Sequence, residues 1–140
     1  MTGGILVDTG PLVAILARRD AYHEVCIEQL QRLPPPLFTC WPVITEAVWL
    51  LRRYPPAVQR LLGSFDTGLL RLLELDGSAI PWIARFLDQY RKLRAQVADA
   101  ALVYLAEREG FETVFTLDRR DFSVYRLTGN RSLRLLPSLY

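Results

Sequence analysis

Side chains commonly recruited for triad or soft-metal chemistry are scarce in this 140-residue sequence: there is one histidine, His23, and two cysteines, Cys26 and Cys40. A Ser-His-Asp triad or a zinc site would have to be built on that single imidazole, with no Cys-x-x-Cys pair beside it, so both chemistries are set aside. The two cysteines, at no metal-like spacing, read as buried small apolar groups. Long hydrophobic runs are also missing. The longest uncharged stretch, residues 33–45, holds four prolines among its 13 residues, whereas a membrane-spanning helix needs about 20 apolar residues. No basic segment precedes the first apolar run in the manner of a secretory signal. The expectation is a soluble, cytoplasmic protein with no membrane contact. Lysine is nearly absent too: 16 of the 17 basic residues are arginine, Lys92 being the exception, and the net charge is only +2. Composition alone therefore does not announce a nucleic-acid binder, although arginine pairs such as Arg119-Arg120 suit phosphate recognition.

What is present is enough chain for one domain, 1–140, with a real core. Ile5 to Val7 reads as a short strand, and Gly10-Pro11 opens a helix from Pro11. A second helix is expected over Tyr22 to Leu33, where three prolines stop it. Leu37 to Cys40 follows as a strand, and Pro42 opens a helix that Pro55-Pro56 ends. A short helix over Ala57 to Leu62 and a strand within "LLRLLEL" (69–75) come next. Ser78 is expected to cap a helix through Trp82, Phe86 and Tyr90. "VADAALVYLAEREG" is apolar on more than one face and ends at Gly110, so it reads as a largely buried helix. "TVFTL" (113–117) and Leu133 to Leu136 are the last strands. Strands alternating with helices imply a mainly parallel α/β sheet with ligands bound outside the carboxyl ends of its strands.

Asp-Thr-Gly, the signature of aspartic proteases, occurs at Asp8-Thr9-Gly10 and again at Asp66-Thr67-Gly68. Those proteases are all-β, and the helix expected from Pro11 argues against them; the second copy reads as a turn. More informative are acids placed where charge is expensive. Asp8 ends the first strand and Asp118 follows the fourth, with Asp121 one turn on. Glu46 has Pro42, Val43, Trp49 and Leu50 at helical spacing, and Asp99 has Ala95, Gln96, Leu102 and Val103. Neither acid has a basic i,i+4 partner. Taken singly, each could cap a helix or reach solvent. If the acids converge, two like charges about 4 Å apart repel by about 4 kcal/mol at an effective dielectric near 20, and a cation must sit among them. Hard oxygen donors without histidine or thiol select Mg²⁺ or Mn²⁺, which activate water at a phosphodiester.

Four segments in this order, "ILVDTGPLVAIL", "ITEAVWLL", "VADAALVYLAEREG" and "VFTLDRRDF", resemble the PIN-domain ribonucleases of the VapC type, toxins of toxin–antitoxin pairs. The resemblance implies a three-layer α/β/α sandwich with a mainly parallel sheet of about five strands. It implies a catalytic quartet of Asp8, Glu46, Asp99 and Asp118, with Asp8, Asp99 and Asp118 as metal ligands. Thr9, Thr116 and Asp121 would assist, and Arg119 and Arg120 would meet RNA or an antitoxin. The activity implied is Mg²⁺- or Mn²⁺-dependent endoribonuclease cleavage, leaving 5′-phosphate and 3′-hydroxyl ends. A cognate antitoxin and a homodimer are implied partners. Two other readings keep the fold: a nuclease for RNA processing or DNA cleavage without an antitoxin, and a non-catalytic RNA- or protein-binding module. A phosphatase of the haloacid dehalogenase type also begins with a strand-end Asp, but needs an acid where Gly10 stands.

Overall fold

The computed structural model describes residues 3–138; positions 1, 2, 139 and 140 lie outside the described residues. Five parallel strands form the main sheet: β1 (Ile5–Val7), β2 (Leu37–Thr39), β3 (Leu70–Leu72), β4 (Thr113–Phe115) and β7 (Arg134–Leu136), in the order β3-β2-β1-β4-β7. The chain builds outward from β1 in one direction, then crosses over to continue with β4 and β7 on the other side. The strand order thus reverses between β1 and β4, which opens a crevice at their carboxyl ends.

Helices cover both faces and give the expected PIN-like α/β/α sandwich. α1 (Thr9–Leu16) packs against α2 (His23–Gln31), α3 (Trp41–Leu50) and α4 (Pro55–Gly63). α6 (Val97–Glu109) packs against α5 (Ile80–Gln89) and α3. α7 is the single turn Arg119–Phe122. α6 buries Ala98, Ala100, Ala101, Leu102, Val103, Leu105 and Ala106, the all-round apolar surface its sequence implied. Gly110 ends it at φ 73°, a left-handed conformation glycine adopts without a Cβ penalty. Gly68, at φ 86°, likewise serves the turn read at Asp66-Thr67-Gly68. Cys26 and Cys40 are free and buried, and burial pushes their thiols up to about 11 and about 12.

Several boundaries differ from the sequence reading. α1 begins at Thr9 rather than Pro11, because the Asp8 carboxylate caps it by accepting from the Thr9 N–H. α2 is shorter than expected at both ends. β3 covers only three residues of "LLRLLEL", since its sole partner β2 is itself three residues long, bounded by the proline run and the turn into α3. Ser78 is not the expected cap. Asp76 caps a 3₁₀ turn, Gly77–Ala79, by accepting from the Ser78 N–H, and α5 starts at Ile80 without a side-chain cap. β4 stops at Phe115, so Asp118 lies three residues beyond it and caps α7 by accepting from Asp121 N. A small antiparallel hairpin, β5 (Arg126–Leu127) with β6 (Arg131–Ser132), was not expected from the sequence.

Candidate active site

The buried polar or charged residues among those described are Asp8, Thr9, Thr39 and Thr116. All stand at or just past the carboxyl ends of β1, β2 and β4. Burying such groups is costly unless each finds a partner, and here each does. Thr39 Oγ1 donates to the Val7 carbonyl at 3.3 Å. Asp8 Oδ1 accepts from the Thr9 N–H at 2.8 Å, and Oδ2 from the Thr116 hydroxyl at 2.8 Å. Thr116 Oγ1 in turn accepts from the Asp118 N–H at 3.0 Å, tying the acid after β1 to the one after β4. The Thr9 hydroxyl donates to Glu46 Oε1 at 2.8 Å, fixing the α3 acid against the start of α1.

Asp99, in the first turn of α6, accepts at Oδ2 from the Tyr125 hydroxyl at 2.8 Å. Tyr125 is fully buried, wedged edge-on against Phe122 and Tyr90 with ring centroids 5.0 and 4.9 Å away. One carboxylate oxygen from each of Asp99, Asp118 and Asp121 lies within 4.8 Å of the others. The same pocket, about 410 Å³, is lined also by Asp8, Glu46, Gly10, Arg94 and Gln96. All four quartet acids therefore face one crevice. The tightest grouping, however, brings Asp121 beside Asp99 and Asp118, while Asp8 stands behind them in its hydrogen-bonded niche.

Electrostatics records the crowding. Burial, reinforced by the charges of Asp99 and Glu46, raises Asp8 to about 7 despite its hydrogen bonds. Burial and the neighbouring acids Asp118, Asp121 and Glu46 raise Asp99 to about 6. Asp121 is raised as well, by burial and then by Asp118, with Arg120 pulling the other way. Such perturbed carboxylates in a cleft mark functional sites. The donor set fits a hard divalent cation: every candidate ligand is a carboxylate oxygen, and no histidine or cysteine lines the pocket. Ligand oxygens about 2.0–2.1 Å from Mg²⁺ lie at most about 4.2 Å apart, so small side-chain rotations or an intervening water close the 4.8 Å grouping.

One residue of the site, Tyr125, carried no signal in the sequence, and another, Arg94, stood there only as part of the basic cluster Arg91-Lys92 with Arg94. Tyr125 is brought to Asp99 by its packing against Phe86, Tyr90 and Phe122. Arg94 lines the pocket from a backbone at φ 57°, a left-handed conformation costing a non-glycine residue on the order of 1–2 kcal/mol. Of the arginines marked in the sequence, Arg119 donates to the Pro137 carbonyl at 2.7 Å and is half-buried, while Arg120 is exposed beside Asp121. Neither lines the pocket.

An acidic crevice at the switch point of a five-stranded parallel sheet defines the class. The sequence pattern of the PIN domain matches residues 5–127, and the chain belongs to that family. Along its length it is similar to the ribonuclease VapC26 of Mycobacterium tuberculosis, with 29% identity over 135 residues, 95% of this chain and 100% of that protein. Among solved structures it resembles M. tuberculosis VapC20, described as a sarcin-ricin-loop-cleaving toxin, with a TM-score of 0.77 at 18% identity over 84% of this chain and 92% of that one. A toxin–antitoxin complex from Klebsiella pneumoniae matches with a TM-score of 0.67 at 16% identity, covering 87% and 92% of the two chains. The VapC-type resemblance read from the four sequence segments is thereby borne out.

Proposed function

We propose that this chain is an endoribonuclease that hydrolyses RNA phosphodiesters with Mg²⁺ or Mn²⁺, and that it acts as the cytoplasmic toxin of a type II toxin–antitoxin pair. The observation that carries the reading is the convergence of Asp8, Glu46, Asp99, Asp118 and Asp121 on one pocket. Near neutral pH, so much like charge in one pocket favours a bound cation. The likeness to VapC26 along nearly the whole chain supports RNA as the substrate. The Klebsiella complex supports an antitoxin as the partner.

Asp8, Asp99 and Asp118 would hold the metal, with Asp121 close enough to join them. When bound, the metal supplies charge stabilisation at the phosphate and lowers the pKa of a water. The protein's own groups do the positioning. Thr116 and the Thr9 N–H fix both oxygens of Asp8, and Tyr125 fixes one oxygen of Asp99. Glu46, oriented by Thr9, is placed to accept a proton from the attacking water. The 140 residues work as one PIN domain. A homodimer is part of the reading, through the groove between α3 and the start of α6, where Trp41 and Trp49 are each 61% exposed.

The test is cleavage of cellular RNA by purified protein, with 5′ ends mapped. Cleavage that requires Mg²⁺ or Mn²⁺, leaves 5′-phosphates and falls at least about a hundredfold in Asp99→Asn is expected, the scale of losing one preorganised transition-state contact. Full activity in Asp99→Asn, or binding of RNA without turnover, would remove the proposal.

A further inference from the structure

Among the described residues, Arg94 is the one cationic side chain lining the acidic pocket. It closes the 3₁₀ turn Arg91–Leu93 at φ 57°, ψ 40°, where its N–H donates to the Arg91 carbonyl. Among the described residues, the other non-glycine residue at positive φ is Asn130, in the β5–β6 turn, and asparagine tolerates that region. Arginine has no such tolerance. Glycine would make the same backbone bond more cheaply, so the position carries a side chain at the fold's expense. Strain of this kind concentrates at working sites.

That side chain has no structural employment. Among the described residues its guanidinium enters none of the ion pairs, although five carboxylates line the same pocket. Nor does it figure among the charges acting on Asp8 or Asp99. Arg94 is therefore not anchored by the acids. It remains a permanent cation, with a planar fork of donors, exposed at the edge of a negatively charged pocket.

We infer that Arg94 is a substrate-binding residue, taking the non-bridging oxygens of an RNA phosphate as the strand enters the acidic pocket. The inference rests on the ribonuclease reading above. A polyanion approaching five carboxylates is repelled. A rim arginine offers it two parallel charge-assisted hydrogen bonds, a pairing that matches phosphate geometry.

The experiment has two arms. In the first, wild type, Asp99→Asn, Arg94→Gly and Arg94→Lys are assayed on a short RNA that wild type cleaves. Arg94→Gly is expected to raise KM about tenfold while its melting temperature holds or rises, because the strained conformation is relieved. Arg94→Lys, with the charge but not the fork, should fall between. In the second arm, binding of the same RNA is followed across salt concentrations in Asp8→Asn, with and without Arg94→Gly. Loss of one single-strand phosphate contact reduces the slope of log K against log salt by about 0.7. An unchanged KM together with an unchanged slope overturns the inference. A lower melting temperature with an unchanged slope overturns it too, and assigns Arg94 a purely structural part. If wild type binds RNA but does not cut it, the ribonuclease reading fails, while the salt slope still decides for or against Arg94.

Discussion

Asp8 has two duties that pull its proton affinity in opposite directions. As the cap of α1 it accepts from Thr9, and it accepts from Thr116 as well, both of which favour the anion. Its burial and the nearby acids disfavour the anion more, and its pKa stands at about 7. A folded-state pKa raised above the ordinary value of 3.8 means that the native chain binds more protons than the unfolded chain between about pH 4 and 7. Stability should therefore fall as pH rises through that window. Asp99, raised to about 6, acts in the same direction. Each pH unit of separation is worth about 1.4 kcal/mol, so with a chelator present the chain should melt several degrees lower at pH 7.5 than at pH 5. Asp8→Asn should flatten that dependence, and Mn²⁺ should raise the melting temperature more at pH 7.5 than at pH 5. Thermal melts across pH settle it: a slope identical in wild type and Asp8→Asn would show that the Asp8 carboxylate is not the source. Asp8 and Asp118 were legible in the sequence because parallel strands present their carboxyl ends to ligands. Glu46 and Asp99 were legible because no basic residue answers them at helical spacing. Tyr125 was not, since its link to Asp99 exists only in three dimensions.

Among the elements, α6 and the α7 turn form a bracket. α6 supplies Asp99 from its first turn, α7 supplies Asp121, and Tyr125, just after α7, closes the bracket by donating to Asp99. Phe86 of α5 and Tyr90, just after it, pack on the Tyr125 ring, so its hydroxyl has little freedom to aim elsewhere. Tyr125→Phe keeps the ring and removes only the hydrogen bond. It is expected to weaken Mn²⁺ binding by about 10–100-fold, the usual effect of losing a partner that orients a ligand, while costing only about 1 kcal/mol of stability. Calorimetric titration with Mn²⁺ beside a melting curve separates the two: an affinity equal to wild type would mean that Asp99 needs no such aim. The strong elements were readable because apolar periodicity, prolines and Gly110 all point the same way. The β5–β6 hairpin was not, because its two-residue strands are too short and too arginine-rich to alternate. The Ser78 cap failed because its hydroxyl donates to the Asp76 carboxylate, which also accepts from the Ser78 N–H, and Pro81 has no N–H to offer at the third position after it.

For the molecule as a whole, part of the uncovered apolar surface forms a groove beside the site. Trp41 and Trp49 lie on α3 on either side of Glu46, and Val97, 48% exposed, faces the same groove from α6. Exposed aromatics gathered in one groove mark contact surfaces. Sedimentation equilibrium is expected to show a two-chain species, and Trp49→Glu should weaken it about tenfold or more, as loss of a central aromatic anchor does. A single-chain species at every concentration would exclude this groove as the dimer contact.

The carboxylates reach their crevice from positions 8, 46, 99, 118 and 121, and Tyr125, which secures Asp99, comes later still. No fragment that stops short of α7 contains the assembled site. If the chain is the ribonuclease proposed above, a nascent copy is expected to cut no RNA until α7 has emerged and folded. On the same reading, a frameshift or stop codon before α7 is expected to yield a product without the assembled site, inert rather than weakened.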